Sequence, residues 1–265
     1  MLDNDAIRAA SDILFENWTA RARIDHLPEP LRPASRHEGY AIQAEIERKS
    51  AFPLFGWKIA ATSEAGQKHI GVKGPMAGRI LHEKVLPAHA AVTLHGNLMR
   101  VAEVEFAFKI GKDLLPRSSL YTQEEVLQSV SSLHPALEMP DSRYHDFVAV
   151  GEYQLIADNA CAHLFMLGEA TDADWRQIDL STFRVAVTHI KNGQAQALNG
   201  LGSNVLGDPR KALLWIANEL TQSGVALRAG QVVTTGTCLT PVQVEPGDRI
   251  EADFAQFGSL SASFV

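Results

Sequence analysis

Val101-Ala102-Glu103-Val104-Glu105-Phe106-Ala107-Phe108-Lys109-Ile110 is the stretch on which the reading of this chain turns. Its β-branched and aromatic residues predict a strand. Successive strand side chains point to opposite faces, so Glu103 and Glu105 share one face while Ala102, Val104, Phe106, Phe108 and Ile110 line the other. Same-face neighbours stand only about 7 Å apart along a strand. Two carboxylates aimed at one spot repel or shift in pKa unless a positive group lies between them. A hard divalent cation is the simplest such group, and a solvated strand face that carries two glutamates is the alternative left open by this segment alone.

Two other segments bear on that choice. Phe55-Gly56-Trp57-Lys58-Ile59-Ala60-Ala61-Thr62 reads as a short buried strand with one lysine in its middle. A lysine is almost never fully buried unless paired. Lys58 is therefore either a snorkelling edge residue or a desolvated amine of lowered pKa that can carry a proton. His134-Pro135-Ala136-Leu137-Glu138-Met139-Pro140-Asp141-Ser142-Arg143 reads as a short extended piece framed by prolines. There Glu138 is a third carboxylate in apolar company, either paired with Arg143 or bound to a metal, because a buried unpaired carboxylate is expensive.

Outward from these segments, helical spacing of Ile7, Ala10, Leu14 and Trp18 predicts an amphipathic helix over residues 5–23, and Ser35 caps a second one to about Ser50. Dense Gly and Pro punctuation over 63–100 predicts a short helix at 63–69, a loop at 71–78 and small strands near 79–82 and 91–95. Thr122 and Glu125 form a capping box that starts a helix to about Ser132. Residues 155–168 read as one long strand with a polar interruption at Asp158-Asn159. Strands at 183–190 and 194–198 flank a Lys191-Asn192-Gly193 turn, and Asp208-Pro209 opens a helix that runs to Gly224. Strands come next at 232–237, 249–254 and 259–265. The division expected is an N-terminal helical segment, 1–50, and a β-rich, metal-binding catalytic domain, 51–265.

Composition narrows the partners. With 46% hydrophobic and 21% charged residues over 265 positions the chain is of ordinary globular type. Its 24 Lys+Arg against 31 Asp+Glu give a net charge of -7 with no basic run, which argues against nucleic acid and anionic membranes. A small molecule or a second copy of the chain is the expected partner. Two cysteines, Cys161 and Cys238, an acidic start without an apolar stretch behind it, and no apolar run near the roughly 20 residues of a membrane span fit a reduced, cytoplasmic protein. No Gly-x-Ser-x-Gly elbow, P-loop, dinucleotide fingerprint, Cys-x-x-Cys or His-Glu-x-x-His is present.

Three glutamates without a histidine suit Mg²⁺ or Mn²⁺ rather than zinc. An ion with open positions can chelate a 2-oxo or 2-hydroxy acid and stabilise an enolate, with Lys58 as its acid/base group.

Gly56-Trp57-Lys58-Ile59, Glu103-Val104-Glu105-Phe106-Ala107-Phe108, Pro135-Ala136-Leu137-Glu138 with Asp141-Ser142-Arg143, Asp158-Asn159-Ala160, Val232-Val233-Thr234-Thr235-Gly236 and Pro246-Gly247-Asp248 occur in that order. Together they resemble the 2-keto-4-pentenoate hydratase and 4-oxalocrotonate decarboxylase family of the fumarylacetoacetate hydrolase superfamily, from about Gly39 to the C-terminus. The resemblance implies an α+β fold, a mixed β-sandwich-like roll behind the N-terminal helices. It also implies Mg²⁺ or Mn²⁺ on Glu103, Glu105 and Glu138, a catalytic Lys58, and a homo-oligomer. Arg79, Cys161 and Thr237 are the expected substrate contacts. Arg79 is suited to a second substrate carboxylate, and Cys161 to a pocket wall. The implied reaction, in aromatic-compound catabolism, is a lyase's addition of water to a 2-hydroxy-2,4-dienoate to give a 4-hydroxy-2-oxo acid. Decarboxylation of a 2-oxo-3-enedioate is the alternative, and a catalytically inactive ligand-binding relative ranks below both. In Pro75-Met76-Ala77-Gly78-Arg79, Met76 stands where the hydratases usually carry aspartate and the Gly78-Arg79 pair resembles the decarboxylase branch, so the segment from Gly74 to Arg79 is expected to choose the reaction.

Overall fold

The computed structural model describes all residues, 1–265. Six helices are α1 Asn4–Ala20, α2 Arg36–Ala44, α3 Glu64–Ile70, α4 Gln123–Ser129, α5 Glu152–Ala157 and α6 Pro209–Gln222. The strands are β1 Gly56–Ala60, β2 Met76–Ile80, β3 Val85–Leu86, β4 Ala91–Val92, β5 Val101–Ile110, β6 Val130–Met139, β7 Leu164–Leu167, β8 Arg184–Lys191, β9 Gln194–Leu201, β10 Val232–Thr237, β11 Val242–Gln243, β12 Arg249–Asp253 and β13 Ser259–Phe264. They form an eight-stranded sheet, in the order β2-β1-β10-β5-β6-β7-β3 with β11 added to β5, and a five-stranded sheet, β4-β13-β12-β8-β9.

The alternation read in β5 organises both layers. Ala102, Val104, Phe106, Phe108 and Ile110 enter the largest apolar core, where they meet Ile250, Phe254, Phe257 and Leu260 of the second sheet's side. Phe106 meets Phe254 edge-on, with ring centroids 5.2 Å apart. Leu213, Ile216, Ala217 and Leu220 of α6 close the same core, as their helical spacing predicts. The other face of β5, which carries the two glutamates, looks away from it.

A smaller core holds the N-terminal helices. Ala10, Leu14, Leu27 and Ile42 pack with Met76, Tyr144, Leu155, Ile156, Ala157 and Ala160. Trp18 of α1 lies between the Lys84 ammonium and the Arg143 guanidinium, 4.6 and 4.9 Å from its ring centre, and donates to His163 Nδ1 at 2.6 Å. Burial among these cations pushes the His163 pKa down to about 3, so its ring is a neutral acceptor.

Three expectations need correction. Residues 155–168 do not form one strand: α5 supplies 152–157, a left-handed turn occupies 159–161, and only 164–167 is strand. The apolar run Leu155-Ile156-Ala157 is buried on every side, and such a run reads equally as helix or strand. The expected loop 71–78 ends early, because Met76, Ala77 and Gly78 pair with Ala60, Ile59 and Lys58 of β1. The extended piece around Glu138 is the end of a ten-residue strand, β6. The hairpin turn is as read, with Asn192 and Gly193 at φ 53° and 74° joining β8 to β9.

Candidate metal and proton-transfer site

β5 and β6 are antiparallel neighbours in a register that sets Glu103 directly across from Glu138 and Glu105 across from Ala136. One ligand oxygen from each of Glu103, Glu105 and Glu138 lies within 4.8 Å of the other two. Glu105 is 0% and Glu138 2% exposed. Thr234 Oγ1 donates to Glu105 Oε2, as does the Gly236 backbone N–H at 2.8 Å. Glu105 Oε1 and Glu138 Oε2 have no hydrogen-bond donor although they are buried, and Glu138 Oε1 meets only the Lys58 ammonium. Buried carboxylate oxygens without partners are rare and costly. Oxygens converging on one point, with unused lone pairs and no sulfur or imidazole among them, fit a hard divalent cation.

Lys58 joins them from β1. Its Nζ forms an ion pair with Glu138 Oε1 at 3.0 Å and donates to the Ala160 carbonyl at 3.0 Å. β1 is separated from β6 by β10 and β5, which in a flat sheet means roughly 14 Å at about 4.8 Å per strand. The contact therefore requires the large sheet to curl, as twisted sheets do.

The electrostatics are those of crowded carboxylates. Burial raises the pKa of Glu103 and raises that of Glu105 well above the ordinary range, where repulsion from Glu138 and Glu103 adds to it. Burial pushes Glu138 up to about 7, with Glu103 adding to the shift and Lys58 opposing it. For Lys58, burial works against the charge, but Glu138, Glu103 and Glu105 outweigh it and hold the pKa above the ordinary lysine value. The lowered pKa expected from desolvation alone is thus reversed by the neighbours.

Local devices place these groups. The β10–β5 register slips between Thr234 and Thr237, and this bulge turns the Gly236 N–H toward Glu105. Gly236 has φ +95°, and a Cβ there would lie 2.1 Å from Thr62 Oγ1, so only glycine fits. Gly78, paired with Lys58, clears the lysine's path: a Cβ would lie 2.5 Å from the Asn159 carbonyl oxygen and 3.0 Å from Lys58 Cγ and Cδ. Asn159, Ala160 and Cys161 are all left-handed, at φ 55°, 50° and 60°. Such a conformation costs about 1–2 kcal/mol per residue, so this turn must be held by its surroundings.

Arg143 does not pair with Glu138; it binds Asp158 and donates to the Asp141 and Ala162 carbonyls at 2.9 and 3.0 Å. Arg79 is not brought to the glutamates. Strand alternation puts it on the Trp57 side of the sheet, where it binds Gln43 and Glu47 with its guanidinium 4.6 Å from the Trp57 ring centre. Cys161 is close enough to Lys58 for each to affect the other's charge, and burial pushes its thiol up to about 12. Thr237 lies opposite Glu105 in the register, with its hydroxyl turned to the Leu239 carbonyl at 2.7 Å. Thr234, Gly236, Gly78 and the Ala160 carbonyl were missed by residue-type reasoning. Only Gly236, an isolated glycine in a strand pattern, carries a sequence signal, that of a bulge.

Residues 76–265 match the family model described as fumarylacetoacetate (FAA) hydrolase C-terminal. The chain belongs to that family. A 2-hydroxyhexa-2,4-dienoate hydratase of Comamonas testosteroni is 30% identical over 270 residues, with all of both chains covered. A 2-keto-4-pentenoate hydratase of Paraburkholderia xenovorans is 30% identical over 258 residues, covering 96% of this chain and 93% of that one. Among solved structures, 4-oxalocrotonate decarboxylase from Pseudomonas putida G7, complexed with magnesium and adipate, superposes with a TM-score of 0.87 at 26% identity, covering 100% of this chain and 99% of the other. The mixed sheets and N-terminal helices of this family member are thus those of its structural relatives.

Proposed function

We propose that this chain is a divalent-metal-dependent hydratase that adds water to a 2-hydroxy-2,4-dienoate and yields a 4-hydroxy-2-oxo acid. Glu103, Glu105 and Glu138 would hold the ion, and the hydratases above supply the substrate class. Mg²⁺ or Mn²⁺ on these glutamates would supply a Lewis acid for the oxygens of a 2-hydroxy or 2-oxo acid, and with their charge so engaged Lys58 would be freer to give up its proton. Ketonisation moves a proton from the C2 hydroxyl to C5. Addition of water then places hydroxyl on C4 and hydrogen on C3. Lys58 Nζ, aimed by the Ala160 carbonyl, is the group placed to carry these protons. Cys161 and Thr237 would flank the substrate as pocket wall.

The observation that favours hydration over decarboxylation is the count of free cations. Lys58 is the one cation that acts on the three glutamates. Arg79 is engaged behind the sheet, Arg23 binds Asp141 and Arg143 binds Asp158. Arg79, the cation expected to hold a second substrate carboxylate, is thus occupied by Glu47 and Gln43, and a dienoate brings no second carboxylate. On this reading residues 51–265 carry the chemistry and residues 1–50 form their outer wall, in a protein of the cytoplasm that assembles as a homo-oligomer. No helix is long and apolar enough to cross a membrane, and the two cysteines are unpaired.

The test supplies Mg²⁺-loaded protein with 2-hydroxypenta-2,4-dienoate and, separately, 2-oxohex-3-enedioate, following ultraviolet absorbance and CO2. Loss of the dienoate without CO2 is expected. CO2 released from the enedioate with the dienoate untouched replaces hydration by decarboxylation, and no turnover of either, with metal bound, points to a ligand-binding relative.

A further inference from the structure

β2 is the edge strand of the large sheet, so the outward backbone groups of its residues have no neighbouring strand. Side chains take that place. Tyr40 Oη accepts from the Ala77 N–H at 3.1 Å, and Gln43 Nε2 donates to the Ala77 carbonyl at 2.9 Å. Two residues on, Asn159 alone does both: its Oδ1 accepts from the Arg79 N–H at 2.6 Å and its Nδ2 donates to the Arg79 carbonyl at 2.8 Å. A side-chain amide presents an acceptor and a donor side by side, and so matches an N–H and a C=O together.

The two caps differ in their distance from the lysine's anchor. Tyr40 and Gln43 stand on α2, far in sequence from the Ala160 carbonyl that anchors the lysine, and on a regular helix. Asn159 opens the left-handed turn, and the next carbonyl, that of Ala160, receives the Lys58 ammonium. The same clamp brings the Asn159 carbonyl against Gly78, where only a missing side chain leaves room for the lysine stem. We propose that Asn159 is a positioning residue for Lys58: by clamping Arg79 at the open edge of β2 it fixes the turn whose Ala160 carbonyl holds the ammonium beside Glu138. The proposal rests on the reading of Lys58 as the proton carrier. It uses no contact between Asn159 and substrate.

The test compares Mg²⁺-loaded wild type with Asn159→Gly, Asn159→Asp, Tyr40→Phe and Lys58→Ala. Glycine keeps the left-handed backbone without strain and removes only the clamp. Asparagine replaced by aspartate, assayed at a pH where the new carboxyl is ionised, puts an oxygen against the Arg79 carbonyl and carries the same test if the glycine variant fails to fold. Expected for Asn159→Gly is a kcat lower by at least roughly tenfold, since small misplacements of a catalytic group are costly. Its KM and calorimetric Mg²⁺ affinity should stay within about twofold, and a metal-free crystal structure should show Lys58 Nζ out of contact with the Ala160 carbonyl. Tyr40→Phe, which loses an edge bond of the same kind, should keep the wild-type kcat. A wild-type kcat in a folded Asn159 variant, an unchanged Lys58–Ala160 contact in its crystal, or an equal kcat loss in Tyr40→Phe overturns the proposal. If Lys58→Ala still turns over, the proton-carrier reading falls and the crystal alone judges Asn159. If Lys58→Ala is dead while Asn159→Gly is fully active, only the Asn159 proposal falls.

Discussion

Glu138 is the most exposed to consequence among the three carboxylates, because the Lys58 ammonium is the one polar partner its two oxygens have. Glu138→Ala and Glu103→Ala should each abolish Mg²⁺ binding in calorimetry, and unchanged affinity in either would remove that residue from the site. Lys58→Ala leaves the glutamates in place and should retain the metal while losing turnover, since its ammonium meets carboxylates rather than completing their ligand set; near-normal rates would make Lys58 structural. Gly78→Ala should lower stability by about 1–3 kcal/mol as an overpacked site, seen as a lower midpoint in denaturant. Single residues were legible where chemistry is intrinsic to the side chain, as for the three glutamates and the lysine. The partner of each was not: Arg143, five residues from Glu138, was the near candidate, yet it turns to Asp158, and Glu138 meets a lysine 80 positions away in sequence.

At the scale of elements, the segment after β6 and the left-handed turn are tied to each other by a buried ion pair. Arg143 and Asp158 are both almost fully buried, and Ser142 Oγ adds a bond to Asp158 Oδ2 at 2.7 Å. Removing one partner strands the other's charge, which costs about 3–5 kcal/mol. Asp158→Ala should therefore lower the thermal midpoint by about 10 °C in a chain of this size, measured by calorimetry on metal-free protein; a shift within error would mean that the turn is held by Asn159 without the pair. The periodic elements α1, α6, β5 and the β8–β9 hairpin were legible because one face or one turn type repeats locally. The strand reading of 155–168 failed because a run buried on all sides has no period to read, and β2, Met76–Ile80, was read late, as a strand near 79–82, because its pairing with β1 is a property of the sheet, not of its five residues.

At the scale of the whole molecule, the curled sheet collects charge that only a ligand relieves. Burial pushes Glu138 up to about 7 in the folded chain, and Glu103 and Glu105 are raised as well. An unfolded glutamate titrates near about 4.3. Between these values Glu138 holds more proton in the folded than in the unfolded chain, so its contribution to metal-free stability falls as pH rises through that window, whereas His163, held neutral in the fold, contributes in the opposite direction. The metal-free thermal midpoint of wild type should therefore fall relative to that of Glu138→Gln from about pH 5 to about pH 8, while Mg²⁺ affinity of the wild type rises over the same range because bound protons must leave the ligands. A difference between the two midpoints that stays constant through the window would show that Glu138 is not raised. What the sequence by itself determined here is the chemistry and its polarity: two glutamates on one strand face, a third in apolar company, a lysine in a buried strand, and a core on the opposite face of β5, all set by side-chain type and a period of two. The tertiary structure alone decided which charges meet. Strand order, register and curl bring residues 58, 103, 105 and 138 to one point and carry Arg79 to the far side of the sheet, because pairing between strands distant in the chain is fixed by the shared core and leaves no trace in local spacing.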